Sequence, residues 1–233
     1  MKVLIACEES QRVCIEFRKL GHEAYSADIQ ECSGGHPEWH ILGDVLPLID
    51  GNCTFKTMDS VEHTISGEWD LLIAHPPCTH LAVSGAAWFE KKRADGRQRE
   101  AIEFFMNFIN ARCSKIAVEN PVNIMGGGYI KKWFPDLFKM YGLPIRPSQR
   151  VHPWQFGDEF EKTTCLWIKG LPMLSPTNIV GKGEFITYKS GKKSPKWYAD
   201  AFRLTPEERA KARSKTFPGI AQAMANQWGG DTK

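Results

Sequence analysis

The sequence predicts a doubly wound α/β protein with a mainly parallel sheet, and three observations carry that expectation. Short apolar runs of strand length alternate with stretches of helical periodicity from the first residues onward. Polar residues recur directly after those runs, where sheets of this kind bind their ligands. The composition is that of an ordinary globular chain: of 233 residues, 42% are hydrophobic and 24% charged, and no repeat or low-complexity tract interrupts them.

Taken in order, "KVLIA" (2–6) is a short apolar strand. In "ESQRVCIEFRKLGHE", Val13, Phe17 and Leu20 recur at helical spacing and Gly21 is placed to end the helix. "EAYSAD" is a second strand ending in Asp28, "EWHILGD" a third ending in Asp44, and "WDLLIAHPP" a fourth. Ala101 to Ala111 is a helix with Ile102, Phe105, Met106 and Ile109 on one face. "KIAVENP" is a fifth strand, "YIKKWFPDLFKMYG" holds a short helix, and "KTTCLWI" is a further strand. "TPEERAKAR" carries a helix start: Thr205 as N-cap, Pro206 at the first position and Glu208 at the third. "FPGIAQAMANQWGG" is a last short helix.

Seven scattered cysteines, an odd number, favour reduced thiols over a disulfide framework. "MKVLIACEES" is too short in apolar residues for a signal peptide, and no apolar run approaches the ~20 residues a membrane span needs. A cytoplasmic protein without a membrane partner is expected. Net charge is only +3, but it is unevenly spread: Thr177 to Thr216 hold ten Lys or Arg against four Asp or Glu, so the remainder is slightly acidic. Lys192, Lys193 and Lys196 lie there among aromatics, a pattern suited to phosphate contact and base stacking.

The strand ends form a set: Cys7-Glu8, Asp28, Asp44, Pro76-Pro77-Cys78 and Glu119-Asn120-Pro121. Two prolines fix a rigid turn that presents the Cys78 sulfur. Cys32, His36 and His40 recur at intervals of four, but Gly34, Gly35 and Pro37 break any helix that would align them, so the reading is loop histidines and no metal. His75 is a strand-end residue, and His80 is placed to tune the Cys78 thiolate.

A Pro-Cys after one strand and a Glu-Asn after the next resemble the C5-cytosine DNA methyltransferase family. Blocks such as "HPPCT", "VENP" and the "RSKTFPGIAQAMANQWG" stretch make the resemblance closest to small phage and prophage proteins assigned to that activity. The resemblance implies a Rossmann-like methyltransferase fold that uses S-adenosylmethionine and acts on DNA. Cys78 is then the nucleophile and Glu119 the acid at the base, with Asn120 holding the acid or nearby backbone. Arg150 in Gln149-Arg150-Val151-His152 is the nearest match to the family's arginine motif. For the cofactor, Asp28 suits the ribose and Asp44 the adenine, while Cys7, Glu8 and Ser10 line the methionine end. Ile29, Pro76 and, through the closing motif, Asn226 complete that pocket. The basic stretch after Cys78, with Lys91, Lys92, Arg93, Arg97 and Arg99, corresponds to a loop that closes over DNA.

The chemistry agrees with this assignment. Cytosine C5 becomes nucleophilic only after a thiolate adds at C6, and an acid near N3 neutralises the charge that develops on the ring. The chain departs from the family in three places, one being Gln149-Arg150-Val151-His152, which keeps a single arginine of the family's Gln-x-Arg-x-Arg motif. The turn "CEESQRV" has no glycine, and only the roughly 40-residue basic insert 177–216 stands where larger members carry a target-recognition domain, leaving 1–176 and 217–233 as the catalytic domain. Such an insert reads few bases directly. The expected substrates are therefore duplex DNA or, alternatively, single-stranded nucleic acid or a free cytidine nucleotide. A non-catalytic nucleic-acid- or cofactor-binding member of the fold is the third reading.

Overall fold

The computed structural model describes residues 1–230. Its strands are β1 Lys2–Ala6, β2 Glu23–Asp28, β3 His40–Leu42, β4 Cys53–Lys56, β5 Glu62–Ile65, β6 Leu71–Ala74, β7 Ile116–Asn120, β8 Gln149–Val151, β9 Thr164–Lys169, β10 Phe185–Thr187 and β11 Lys193–Pro195. Its α-helices are α1 Arg12–Lys19, α2 Phe89–Ala94, α3 Arg97–Ile109, α4 Tyr129–Trp133, α5 Pro135–Met140, α6 Lys196–Asp200, α7 Pro206–Ser214 and α8 Pro218–Trp228. None of the described helices is long and apolar enough to cross a membrane.

One seven-stranded sheet, in the order β3-β2-β1-β6-β7-β9-β8, organises the molecule. The five strands β3, β2, β1, β6 and β7 run parallel; β9 is antiparallel to β7, and β8 to β9. Side chains alternate across a strand. Val3 and Ile5 therefore join Leu71, Ile73 and Ala117 on one face, under Val13 and Phe17 of α1 and Met224 and Trp228 of α8. Leu4 joins Leu72, Ala74 and Val118 on the other, under Ile102, Phe105 and Met106 of α3. Burial on both faces is why the central strands read as unbroken apolar runs.

From β1 the chain steps outward to β2 and β3, then returns to β6 on the opposite side of β1. The order thus reverses between β1 and β6, and the crevice at the carboxyl ends of such a pair is where open α/β sheets bind ligands. The turn after β1 and the Pro-Pro-Cys turn after β6 both open there.

Some elements differ from expectation. The third strand is only His40–Leu42, because Pro37–Trp39 turns as a 3₁₀ segment before it. The β4–β5 hairpin carries mixed polar residues, Cys53–Lys56 against Glu62–Ile65, and gives no periodic signal. The helix read over 101–111 begins earlier, at Arg97, since its first turn is polar.

Residues 177–216 fold as the β10–β11 hairpin followed by α6 and α7. Trp197 anchors them: its Nε1 donates to the Glu161 carbonyl at 3.2 Å, and its ring lies edge-on to Phe160 and Phe217. α7 begins as its sequence predicts, with Thr205 Oγ1 accepting from the Glu208 amide (3.3 Å) and Glu208 Oε2 from the Thr205 amide (3.0 Å). The last three residues of the 217–233 segment lie outside the described residues.

Candidate active site

Parallel pairing of β6 with β7 sets Ala74 beside Val118. The next residues, His75 and Glu119, therefore leave the strand ends side by side, and His75 Nδ1 donates to Glu119 Oε2 at 3.2 Å with both side chains largely buried. The following residue ties the two turns together. Buried Asn120 donates Nδ2–H to the Pro76 carbonyl at 2.7 Å and accepts from Asn123 Nδ2 at 3.0 Å. Behind Cys78, the amides of Leu81 and Ala82 both donate to its carbonyl (3.0 and 2.8 Å), and Ile124 N–H reaches back to Leu81 (3.1 Å). The thiol is thus fixed relative to the end of β7 by backbone and by one asparagine.

The charges around Cys78 are balanced. Burial, then the Glu119 carboxylate, push the thiol above its ordinary value, and Lys162 and Arg213 oppose them. Burial would also raise Glu119, but the His75 hydrogen bond and the Lys162 charge outweigh it and hold the carboxyl below its usual range. Neither Lys162 nor Arg213 is signalled in the sequence. Lys162 precedes β9, whose first residues run antiparallel to the end of β7, with Cys165 beside Asn120. Its ammonium donates to the Arg213 carbonyl at 3.0 Å, across 51 positions of chain. His80, expected to tune the thiolate, is pushed below its ordinary value by burial and by Lys92 and Arg97, while the positive charges of Lys162 and Arg213 favour the Cys78 thiolate.

Arg150 lies elsewhere. It pairs with Cys165 on β9, whereas Glu119 pairs with Leu166, so alternation puts Arg150 and Glu119 on opposite faces of the sheet. Arg150 lines an open groove of about 670 Å³ with Asn123, Arg146, Gln149, Cys165 and Trp167.

The glycine-free turn after β1 makes glycine-like bends. Cys7 and Gln11 both occupy the left-handed region, at φ 59° and 57°. Gln11 is held there by its buried amide, which donates to the His36 carbonyl (2.8 Å) and Ser26 Oγ (3.2 Å) and accepts from the His36 amide (3.1 Å). Of the two acids in this turn, Glu8 points inward. Its oxygens accept the Val13 and Cys14 amides at 2.7 and 3.2 Å, capping α1, so it does not line the methionine end as the sequence suggested. Among the described residues Glu9, buried beside it, has neither oxygen hydrogen-bonded, and Lys211 lies 3.8 Å from its carboxylate.

Burial pushes the Glu8 carboxyl up to about 7. A carboxyl raised in the folded state stabilises fully below its unfolded value, and that contribution fades as pH rises through the folded one. Melting temperature is therefore expected to drop between about pH 5 and 7.5, on the order of 3 kcal/mol of stability being lost, and to drop much less in Glu8→Gln. Thermal melts of both proteins across that range check it; parallel curves would refute it.

At the end of β2, Asp28 is half-buried with Oδ1 on the Gln30 amide (2.9 Å), and Ile29 beside it is 80% exposed. Asp44 is exposed and caps the Leu46 amide at 3.0 Å. Ser10, in the turn after β1, and Pro76, in the turn after β6, are buried. A buried carboxylate without a hydrogen bond, a half-free acid and an exposed isoleucine fit a ligand with a cationic end, a diol and a flat ring, as S-adenosylmethionine has. Asn226 does not belong to this set. It sits near the C-terminus of α8, three residues before Gly229, whose carbonyl bonds His22 at the amino end of β2. It is the segment leading into α8 that approaches the crevice, with the Thr216 carbonyl accepting from Arg12 at 2.7 Å. Of the two histidines read as loop residues, His40 instead opens β3, is fully buried and uses both ring nitrogens, on Ser26 Oγ (2.8 Å) and the Gln30 carbonyl (2.9 Å).

No protein-family profile and no curated protein matches the chain. Among solved structures it is similar to a candidate DNA modification methyltransferase encoded within an E. coli prophage, at 14% identity and a TM-score of 0.46. The match covers 77% of this chain and 51% of that one, so the chain spans about half the length of that protein. At this level of likeness, function has to be read from the side chains themselves.

The basic residues after Cys78 separate into two groups. Lys91 is exposed, as are Lys192 and Lys193 on the β10–β11 hairpin. Lys92 instead turns inward and donates to the Thr79 carbonyl at 2.5 Å, bracing the loop that follows Cys78. Arg93 donates to Tyr129 Oη and lies 4.0 Å over the Trp133 ring. Arg97 is paired with Asp95, Arg99 with Asp136 and Glu103, and Lys196 with Glu184. Much of the charge run is thus paired with acids at the surface, and Lys92, turned inward, is a bracing residue.

Proposed function

We propose that the protein transfers a methyl group from S-adenosylmethionine to C5 of cytosine in a nucleic acid. The supporting observation is the Asn120–Pro76 hydrogen bond, which locks the Pro-Pro-Cys turn to the end of the strand bearing Glu119. Nucleophile and acid are thereby held on one crevice. In this reading the Cys78 thiolate bonds to C6 while Glu119 faces N3. Proton sharing with N3 removes the Glu119 charge that opposes the thiolate, so substrate entry itself activates Cys78. Lys162 and Arg213 stabilise the sulfur anion until the C6 bond forms. Glu9, Asp28 and Ile29 hold the cofactor, with Asp44 at the rim of the same crevice. S-adenosylmethionine, when bound, supplies the electrophilic methyl group. Loss of the C5 proton then expels the thiolate and returns the N3 proton to the protein.

Residues 177–216 favour an opened strand or a nucleotide over direct reading of duplex sequence. Their one long helix, α7, is spent on the crevice, through Arg213 at Cys78 and Lys211 at Glu9. Exposed Lys91, Lys192 and Lys193 are left for phosphates. The test is incubation with isotope-labelled S-adenosylmethionine and, separately, unmethylated duplex, single-stranded DNA and dCMP, followed by nucleoside mass spectrometry. Labelled 5-methylcytosine is expected, and the productive substrate names the class. Folded protein that binds S-adenosylmethionine but labels nothing would instead support a non-catalytic binding role.

A further inference from the structure

We propose that His75 is a positioning residue that supplies, through the Glu119 carboxyl, the proton taken up at cytosine N3. This rests on the cytosine reading above. The nitrogen and oxygen are 3.2 Å apart, and the side chains are 7% and 13% exposed, so bulk water has little access to the pair. A proton reaching N3 from the protein side must then come from a group already in the pocket.

The charged and titratable groups facing the pair are Glu8 on the turn after β1, Lys162 before β9, and Cys78. Glu8 is committed to the two amides of α1 and Lys162 to the Arg213 carbonyl. Among the described residues His75 alone has a side chain hydrogen-bonded to the Glu119 carboxylate, and its other nitrogen, Nε2, is buried without a partner there. Exchange from the ring therefore runs to Glu119. Burial opposes charge on His75, but the Glu119 bond and the charges of Glu119 and Glu8 outweigh it, Lys162 acting against them, so the imidazolium is favoured.

The protons balance over one cycle. Before addition the pair holds one proton, as imidazolium and carboxylate. The Cys78 electron pair forms the S–C6 bond, the C5=C6 electrons shift to C4–C5, and the C4=N3 electrons are taken up at N3. The shared proton passes to N3, leaving neutral His75 and ionised Glu119. The C5 electrons then bond the incoming methyl group, water in the crevice takes the C5 proton, the C5–H electrons form C5=C6 as the S–C6 pair returns to Cys78, and N3 gives its proton back to the Glu119–His75 pair. The pair is neither oxidised nor consumed.

His75→Asn keeps an N–H donor toward Glu119 and removes the titratable ring, which separates proton supply from orientation. Single-turnover methylation would be measured from pH 5.5 to 9 with the productive cytosine substrate. In the same proteins the His75 imidazole would be titrated by NMR, in the wild type and in Glu119→Gln. The wild-type rate is expected to fall on the alkaline side as the pair loses its proton. H75N is expected to lose roughly 10²-fold in rate and that alkaline limb. The imidazole should titrate above its ordinary value and drop in E119Q, a result that needs no substitution at position 75. An H75N protein with wild-type rate and profile would overturn the relay alone, as would an imidazole titration unmoved in E119Q. A wild type that methylates no cytosine at any pH would overturn the function and the relay together.

Discussion

Cys78→Ala is expected to abolish methyl transfer, lowering the single-turnover rate by roughly 10⁴-fold or more, while leaving nucleic-acid and cofactor binding intact. The thiol is half-buried in a turn fixed by backbone hydrogen bonds and by Asn120, none of which uses the sulfur. The fold therefore has no need of the side chain, and the loss falls on chemistry. The complementary experiment uses the wild type with 5-fluorocytosine in the productive substrate. Fluorine cannot leave C5 as the proton does, so the S–C6 adduct should accumulate and survive denaturing electrophoresis. C78A protein that still makes 5-methylcytosine, or a wild type that methylates but never traps, would exclude the thiolate mechanism.

The second large effect is expected from Asn120→Asp. The Asn120 side chain is buried, donates to Pro76 and accepts from Asn123. A carboxylate of the same shape would place an acceptor against the Pro76 carbonyl and a second buried negative charge next to Glu119. Leaving groups unpaired at that depth costs about 3 kcal/mol or more, which for a chain of this size lowers the melting temperature by roughly 6–12 °C. The same change releases the Cys78 turn from β7. A misplacement near 1 Å costs on the order of 10²-fold in rate, so N120D should be both less stable and at least that much slower. Thermal melts and single-turnover assays separate the two. A destabilised protein with unchanged turnover would mean that the Pro76 bond does not set the position of Cys78.

Much of this molecule was legible in its residues, because strand burial, helix spacing and capping are local properties. Apolar runs such as Lys2–Ala6 and Leu71–Ala74 had to be strands covered on both faces, and the Thr205–Glu208 box had to start a helix. Cys78, Glu119 and Asn120 stood out because Glu119 and Asn120 end one strand and Cys78 lies in the turn after its neighbour, so the local element alone delivers each to the carboxyl edge.

What stayed hidden depends on contacts between distant segments or on which way a side chain turns. The His75–Glu119 bond spans 44 positions and exists only because β6 and β7 pair in one particular register. The charges of Lys162 and Arg213 act on Cys78 because β9 reverses against β7 and because α7 folds back against the segment before β9, neither of which leaves a local pattern. Glu8 and Glu9 are chemically identical neighbours, and only the position of α1 turns one into a cap and leaves the other unpartnered. Arg150 and Asn226 were misplaced for the same reason: one lies on the opposite face of the sheet and the other at its far end, differences set by register and helix packing. The sequence by itself determined the strand-helix alternation and the Pro-Pro-Cys turn, since both follow from neighbouring residues. The tertiary structure decided the electrostatics of the site, since burial and charge act through space.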